Sequence, residues 1–199
     1  MIPELTGPLP ARRPRLAWLP DALTYARLGA IPVLWLLALL QMREALAIGA
    51  TVAASTDVLD GMLARRLGVT SKRGGALDSA ADHLLSISLV IWLFLFCPRF
   101  FAAEGVGLLV WAAFGLGILA VGWIRFRQIG NVHLYSAKAA GVAGYAFGLM
   151  LLYTGDYSRT VWFAVLGLGW LAGLETLAVL LSRRGVRDHR GSIFLPPRD

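Results

Sequence analysis

The chain has 199 residues, of which 57% are hydrophobic and 16% are charged, whereas soluble domains have about 45–50% apolar and about 25% charged residues. With a mean hydropathy of +0.66, this composition excludes an ordinary aqueous globule and predicts one membrane domain of packed helices. The single cysteine excludes an intrachain disulfide and a multi-cysteine metal site. The net charge of +7 indicates membrane orientation and contact with membrane lipids, not a nucleic-acid partner.

Six apolar windows of about 20 residues, the length that crosses a bilayer core, follow in chain order: 22–41, 45–64, 76–96, 105–124, 134–153 and 160–181. No small-residue cleavage site follows the first window, so we expect a retained span and not a signal peptide. The predicted fold is all-α, a polytopic membrane protein with six transmembrane helices. We divide it into an N-terminal segment (1–19), a transmembrane domain (20–182) and a basic tail (183–199).

The basic residues predict the orientation of these spans. Of the nineteen Lys and Arg residues, fifteen fall on the side of the membrane that holds both termini, three fall on the other side, and Arg27 lies within the first span. Because basic residues are enriched in cytoplasmic segments, both termini are predicted to be cytoplasmic. We expect an integral protein of a bacterial inner membrane.

Four aspartates within 26 residues are the most informative feature of the sequence. Asp57 and Asp60 share one helical face, Asp78 and Asp82 share a face of the next helix, and the short connection brings the two helices together. An ionised Asp at membrane depth costs about 2.5–3.5 kcal/mol on insertion scales, so the cluster predicts bound cations. Carboxylate ligands favour Mg²⁺ or Mn²⁺, and two ions would suit a phosphoryl displacement.

Small residues accompany the aspartates on the same helical faces. Gly61, Ala64 and Gly74 leave room for a ligand to approach the backbone, although helix packing is an alternative reason for each of them singly. Arg65 lies next to this face and could bind a diphosphate. These four residues are therefore predicted to contact a flat or bulky ligand that carries a diphosphate.

The full pattern is D-x2-D-G-x2-A-R-x8-G-x3-D-x3-D, from Asp57 to Asp82, and it resembles the signature of the CDP-alcohol phosphatidyltransferase family at every fixed position. The resemblance implies that a CDP-linked lipid, CDP-diacylglycerol, donates its phosphatidyl group to the hydroxyl of an acceptor alcohol, with CMP leaving, in phospholipid biosynthesis. It also implies metal binding by Asp57, Asp60 and Asp78, with Asp82 as a further ligand or as the catalytic base, in a homodimer with six spans per chain.

The acceptor is predicted from the basic residues of the third cytoplasmic turn. Lys138 and Arg125 are candidates for binding an acceptor phosphate, with orientation charge as the alternative. Relatives that use glycerol 3-phosphate usually have proline and lysine where this chain has Ser79 and His83. This departure argues against glycerol 3-phosphate as the acceptor, whereas inositol phosphate, serine and other lipid alcohols stay open; Lys138 and its basic neighbours favour an acceptor that carries a phosphate.

Two further charged residues lie inside predicted spans. Arg27 is expected to face the cavity of the site or to pair with an acid, and Glu175 is expected to make a hydrogen bond across helices. His83 points away from Asp82 and is expected to pack. The alternative function is a divalent-cation transporter, because intramembrane carboxylates also mark ion pathways. Such a transporter would place its site near the midplane between two repeats, and no second acidic half is present in the sequence.

Overall fold

The computed structural model describes residues 19–67, 72–126 and 134–181, together with their side chains except those of residues 19–21, 23, 57–67, 72–76 and 78. Within these ranges every regular element is an α-helix, which confirms the predicted all-α class. The six helices, in chain order, are α1 (Leu19–Leu39), α2 (Arg43–Leu67), α3 (Lys72–Phe96), α4 (Pro98–Phe126), α5 (Tyr135–Thr154) and α6 (Arg159–Leu181).

Three of these helices contain segments long and apolar enough to cross a bilayer, namely Ser79–Phe96, Pro98–Phe126 and Arg159–Leu181. The predicted count of six helices is confirmed for the described residues, whereas six membrane crossings stay a prediction. Residues 1–18 and 182–199 lie outside the described residues. They include most of the predicted N-terminal segment and the whole of the predicted basic tail.

Local sequence sets several helix ends. Pro98 is the first residue of α4, a position where proline loses no helical hydrogen bond and has a suitable φ angle. Gly155 ends α5 with φ at 74°, and its N–H donates to the Leu151 carbonyl at 2.8 Å. This left-handed cap favours glycine, and here the Arg43 guanidinium lies so close that a Cβ would clash with it.

Hydrogen bonds between helices show which helix ends lie together. Ser136 of α5 donates to Glu175 of α6, and Arg125 Nη1 of α4 donates to the Leu181 carbonyl of α6 at 3.0 Å. We call this end, which also includes the end of α2 and the start of α3, the aspartate end. The other end, where Arg43 Nη2 donates to the Thr154 carbonyl at 3.4 Å, is called the opposite end.

The core lies where α1, α2, α3 and α5 meet. Its fully buried side chains include Leu46 of α2, Trp92 of α3 and Leu152 of α5. The Trp35 ring of α1 packs edge-on against Trp92, with 5.8 Å between ring centroids. Because α2 contacts both α1 and α5, and α3 likewise contacts both α1 and α5, these four helices form one packed unit on which the site is built.

Helix α4 is more peripheral. It contacts α6 and part of α3, and its outer face exposes large apolar side chains such as Val106, Leu109 and Ile124. Contiguous exposed apolar surface of this kind is unfavourable in water and matches contact with lipid. The partial separation of α4 from α3 and α5 leaves a cavity between them.

Candidate functional site

The four aspartates lie at matching depths from the aspartate end. Asp57 lies ten residues before the end of α2, and Asp82 lies ten residues after the start of α3, which is about 15 Å of helix in each case. Asp60 and Asp78 lie about 10 Å from the same ends. The four residues between α2 and α3 keep these ends within one short connection. The backbone therefore places Asp57 and Asp82 at one depth, with Asp60 and Asp78 about one helical turn closer to the aspartate end.

The described member of this set, Asp82, forms an ion pair with an arginine of the first helix. Arg27 Nη1 donates to Asp82 Oδ1 at 3.0 Å. The Arg27 side chain is 0% exposed and that of Asp82 is 44% exposed. A buried guanidinium needs a compensating anion, and Asp82 provides it while keeping part of its surface accessible. The prediction that Arg27 faces the cavity or pairs with an acid is confirmed by this ion pair.

A second bond between α1 and α3 lies deeper in the bundle. Trp35 Nε1 donates to Ser88 Oγ at 3.0 Å, and Ser88 lies six residues beyond Asp82 on the same helix, a rise of about 9 Å. The two bonds fix the rotation of α3 relative to α1. Arg27 and Trp35 are eight residues apart, which places both on the face of α1 that meets α3.

The remaining predicted ligands lie in the parts of α2 and α3 whose side chains are outside the described residues, and their contacts stay a prediction. Among the side chains that are described, no group of three or more His, Cys, Asp or Glu residues lies together. The side chains of Asp57, Asp60 and Asp78 are not among those described. The predicted site residues that lie outside the described side chains are Asp57, Asp60, Gly61, Ala64, Arg65, Gly74 and Asp78.

The two basic residues predicted to bind the acceptor phosphate are both at the aspartate end. Lys138 is exposed in the first turn of α5, where its backbone N–H donates to the Leu134 carbonyl at 3.2 Å. Arg125 is exposed and donates to the Leu181 carbonyl, at the C-terminus of α6. A cation at a helix C-terminus is favourable, so Arg125 has a structural role in addition to its predicted one.

Two other predictions concern side chains near this end. Glu175 accepts a hydrogen bond from Ser136, which confirms the bond expected across helices. His83 does not pack as expected, because it is exposed, and its Nδ1 donates to the Ser79 carbonyl of its own helix at 2.5 Å. An exposed position one residue after Asp82 turns this ring away from the Arg27 ion pair, since successive helical residues differ by about 100°.

A polar network at the opposite end is absent from the sequence predictions. The buried carboxylate of Glu104 accepts hydrogen bonds from Tyr157 Oη at 2.8 Å and from Trp162 Nε1 at 3.1 Å. Arg159 Nε lies 3.5 Å from Glu104 Oε1, but the arginine is 73% exposed. The signal that could have revealed this network is the lone carboxylate of Glu104 in a largely apolar helix, because such a buried group needs hydrogen-bond donors from a neighbouring element.

Tyr157 lies in the turn between α5 and α6, and its surroundings favour the protonated phenol. Desolvation raises the pKa of Tyr157, and its hydrogen bond to Glu104 raises it further, while Arg159 lowers it. The phenol therefore stays a donor to Glu104 at neutral pH. The network ties the start of α4 to the start of α6.

The comparison with known families agrees with the geometry of the aspartate end. The family model for CDP-alcohol phosphatidyltransferases matches residues 17–185, which include all six helices and both pairs of aspartates. No curated protein and no solved structure matches the chain. Since the family model covers most of its length, the chain belongs to the CDP-alcohol phosphatidyltransferase family.

Proposed function

We propose that this protein transfers the phosphatidyl group of CDP-diacylglycerol to the hydroxyl of an acceptor alcohol and releases CMP. The observation that carries the proposal is the ion pair of Asp82 with buried Arg27, which orients the Asp82 carboxylate while part of its surface stays accessible. Family membership supports the reaction class. The chemistry of the donor set supports a divalent cation, because carboxylates are preferred ligands of Mg²⁺ and Mn²⁺.

Asp57, Asp60, Asp78 and Asp82 would hold two such ions, which when bound neutralise negative charge on the diphosphate of the donor. Arg27 binds one oxygen of Asp82 and restricts rotation of the carboxylate. The accessible part of Asp82 can then accept the proton of the acceptor hydroxyl, which a general base must reach within hydrogen-bond distance. Gly61, Ala64, Gly74 and Arg65 are proposed to contact the CDP part of the donor.

Lys138 and Arg125 are proposed to bind a phosphate carried by the acceptor, such as glycerol 3-phosphate or inositol phosphate. Lys138 is exposed at the aspartate end, where a water-soluble acceptor would enter. Arg125 also binds the end of α6, so an acceptor phosphate at this position would lie between α4 and α6. We further propose a homodimer in a bacterial inner membrane, with six spans per chain, both termini in the cytoplasm and the reaction at the cytoplasmic face.

The test is CMP release by the purified protein in lipid nanodiscs, with CDP-diacylglycerol, Mg²⁺ or Mn²⁺, and a panel of acceptors that includes glycerol 3-phosphate, inositol phosphate and serine. We expect CMP with at least one acceptor, and none after chelation of the metal. Asp78→Asn and Asp82→Asn should each abolish transfer while the protein still inserts and purifies. Wild-type turnover in both variants would contradict the proposed site.

The same preparation tests the alternative function. A divalent-cation transporter would carry Mg²⁺ or Mn²⁺ into sealed vesicles and release no CMP with any acceptor. A broken helix of the kind that transporter sites use is absent from the described part of α3. Metal flux without CMP release would nevertheless replace the transferase proposal.

A further inference from the structure

A cavity of about 560 Å³ lies between α4 and the surface formed by α3, α5 and α6. Its lining is almost entirely apolar and contains small residues in the middle of α5, among them Ala140, Gly141 and Gly144. A volume of this size is typical of a site for an organic ligand. The cavity lies within the membrane-spanning part of the bundle, so a ligand that fills it must be hydrocarbon over most of its length.

One end of the cavity is next to the proposed active site. Ser86 lines it and lies one helical turn beyond Asp82 on α3, while Ala137 and Thr176 line it next to Ser136 and Glu175, respectively. A lipid whose diphosphate binds at the aspartates can therefore place a chain directly in this opening. Continuity with the site distinguishes the cavity from an ordinary lipid-facing groove.

Aromatic rings form the other end of the cavity. The centroid of Phe100 lies 5.8 Å from Phe147, 5.0 Å from Trp162 and 4.9 Å from Tyr157. Phe100, Phe147 and Trp162 are buried and line the cavity, and we call these three residues the aromatic wall. The wall is held in place because Trp162 and Tyr157 both donate hydrogen bonds to Glu104.

The distance from the opening to the aromatic wall is close to the depth of one leaflet. Ala137 and Phe147 lie ten residues apart on α5, which corresponds to about 15 Å of helix. The hydrocarbon core of a bilayer is about 30 Å thick, so one leaflet supplies chains of about half that depth. A chain that starts at the aspartate end therefore meets the wall before it crosses the bilayer.

We propose that this cavity binds one acyl chain of the lipid donor and that the aromatic wall sets the longest chain accepted without distortion. The proposal rests on the proposed function, because the diphosphate at the aspartates fixes where the chain begins. A chain that ends before the wall loses contacts, and each methylene left unburied changes binding by about fourfold. A chain that is too long must displace buried rings.

Gly144 offers a substitution that shortens the cavity. It lines the middle of the cavity, and a Cβ at this position would meet no atom within 4 Å. Gly144→Leu places a side chain in the path of the acyl chain about 10 Å from Ala137, and leucine has the higher helix propensity. Gly117→Leu is the matched control, because Gly117 of α4 is exposed, also has open space, and does not line the cavity.

The experiment gives the purified protein in nanodiscs an equimolar mixture of dioctanoyl and dipalmitoyl CDP-diacylglycerol and measures both products by mass spectrometry. Retention of each donor by the protein without acceptor is measured in parallel. In wild type and Gly117→Leu we expect preference for the dipalmitoyl donor. In Gly144→Leu the ratio of dipalmitoyl to dioctanoyl use should fall at least about tenfold, with a parallel fall in retention.

A variant that opens the wall should act in the other direction. Phe100→Leu removes ring volume at the far end, so we expect increased use of donors with chains longer than palmitoyl, in protein that retains wild-type helicity. Equal use of all chain lengths by wild type, an unchanged ratio in Gly144→Leu, or an equal shift in Gly117→Leu would overturn the proposal. A change of oligomeric state in Gly144→Leu without a change in ratio would assign the cavity to a second copy of the chain instead.

The two readouts separate this inference from the proposed function. Donor retention that depends on chain length, with no CMP released for any acceptor, would reject the transferase reaction and keep the acyl site. CMP release with neither readout dependent on chain length would keep the transferase reaction and reject the acyl site.

Discussion

Arg27 is the residue on which the described part of the site depends most directly. Its side chain is fully buried, and its guanidinium contacts the carboxylate of Asp82. Arginine at membrane depth is costly, and a buried ion pair gives little net stability compared with apolar packing. Arg27 is therefore best explained by what it does to Asp82: it orients the carboxylate and offsets its negative charge.

Substitution of Arg27 should reduce activity more than it reduces folding. We expect Arg27→Gln to lower kcat by about 10–100-fold, the usual effect of removing a group that orients a metal ligand, and to raise the Mg²⁺ concentration needed for half-maximal rate. Arg27→Lys keeps the charge but loses the planar donor geometry, so it should restore part of the loss. Steady-state CMP release at varied Mg²⁺ measures both effects.

Ser88→Ala is the matched control for Arg27. It removes the bond between Trp35 and Ser88, which also joins α1 to α3 but does not contact Asp82. We expect nearly wild-type Mg²⁺ dependence in Ser88→Ala. An equal change in Ser88→Ala and Arg27→Gln would mean that Arg27 acts only by holding the two helices together.

At the scale of helices, apolar windows located each element but not all of its ends. The fourth window began at residue 105, whereas α4 begins at Pro98. The missed turns contain Arg99 and Glu104, whose charges lower the hydropathy although Glu104 is buried and hydrogen-bonded. The windows for α2 and α3 were likewise short at the aspartate end, because a helix continues into the charged interface where hydropathy no longer identifies it.

The bond from Tyr157 to Glu104 predicts how the opposite end responds to alkaline pH. Desolvation and then the hydrogen bond to Glu104 raise the pKa of Tyr157 above its ordinary value of 10.0. A group whose pKa is raised by folding stabilises the fold at pH below the ordinary value, and this contribution is lost as the pH passes the raised pKa. The bond should therefore persist at neutral pH and be lost only above about pH 10.

Tyrosinate absorbance of wild type minus that of Tyr157→Phe isolates this titration from the other tyrosines. We expect Glu104→Gln to lower the pKa of Tyr157, because the negative charge that disfavours the ionised phenol is lost while desolvation remains. Arg159→Gln should raise it, since the arginine favours the ionised phenol. Shifts of the same sign in both variants would contradict the assigned network.

At the scale of the whole molecule, the spacing of the aspartates predicts a cluster, but the contact that holds Asp82 could not be predicted from the sequence. Periodicity within α2 and α3 places each pair of aspartates on one face, because residues three or four apart lie together on a helix. The partner of Asp82 is 55 positions away on α1, and local spacing contains no information on which helices become neighbours. The cavity depends in the same way on the separation of α4 from α3 and α5.

The proposed cluster of four carboxylates predicts that the protein is less stable without divalent cations. Repulsion among ionised carboxylates opposes folding, and a ligand at a hundred times its Kd stabilises by about 2.7 kcal/mol. We expect removal of divalent cations by EDTA to lower the Tm by about 5–10 °C. Asp57→Asn should raise the Tm in EDTA and reduce the difference between the two conditions, because one of the repelling charges is gone.

Thermal unfolding followed by circular dichroism, with and without Mg²⁺, measures this difference independently of activity. Glu44→Gln is the matched control, since Glu44 is an exposed carboxylate in the first turn of α2, at the opposite end of the same helix. Its Tm difference between Mg²⁺ and EDTA should equal that of wild type. If the Tm of wild type does not change in EDTA, the prediction is wrong, because groups of the protein itself would then neutralise the four aspartates without a bound cation.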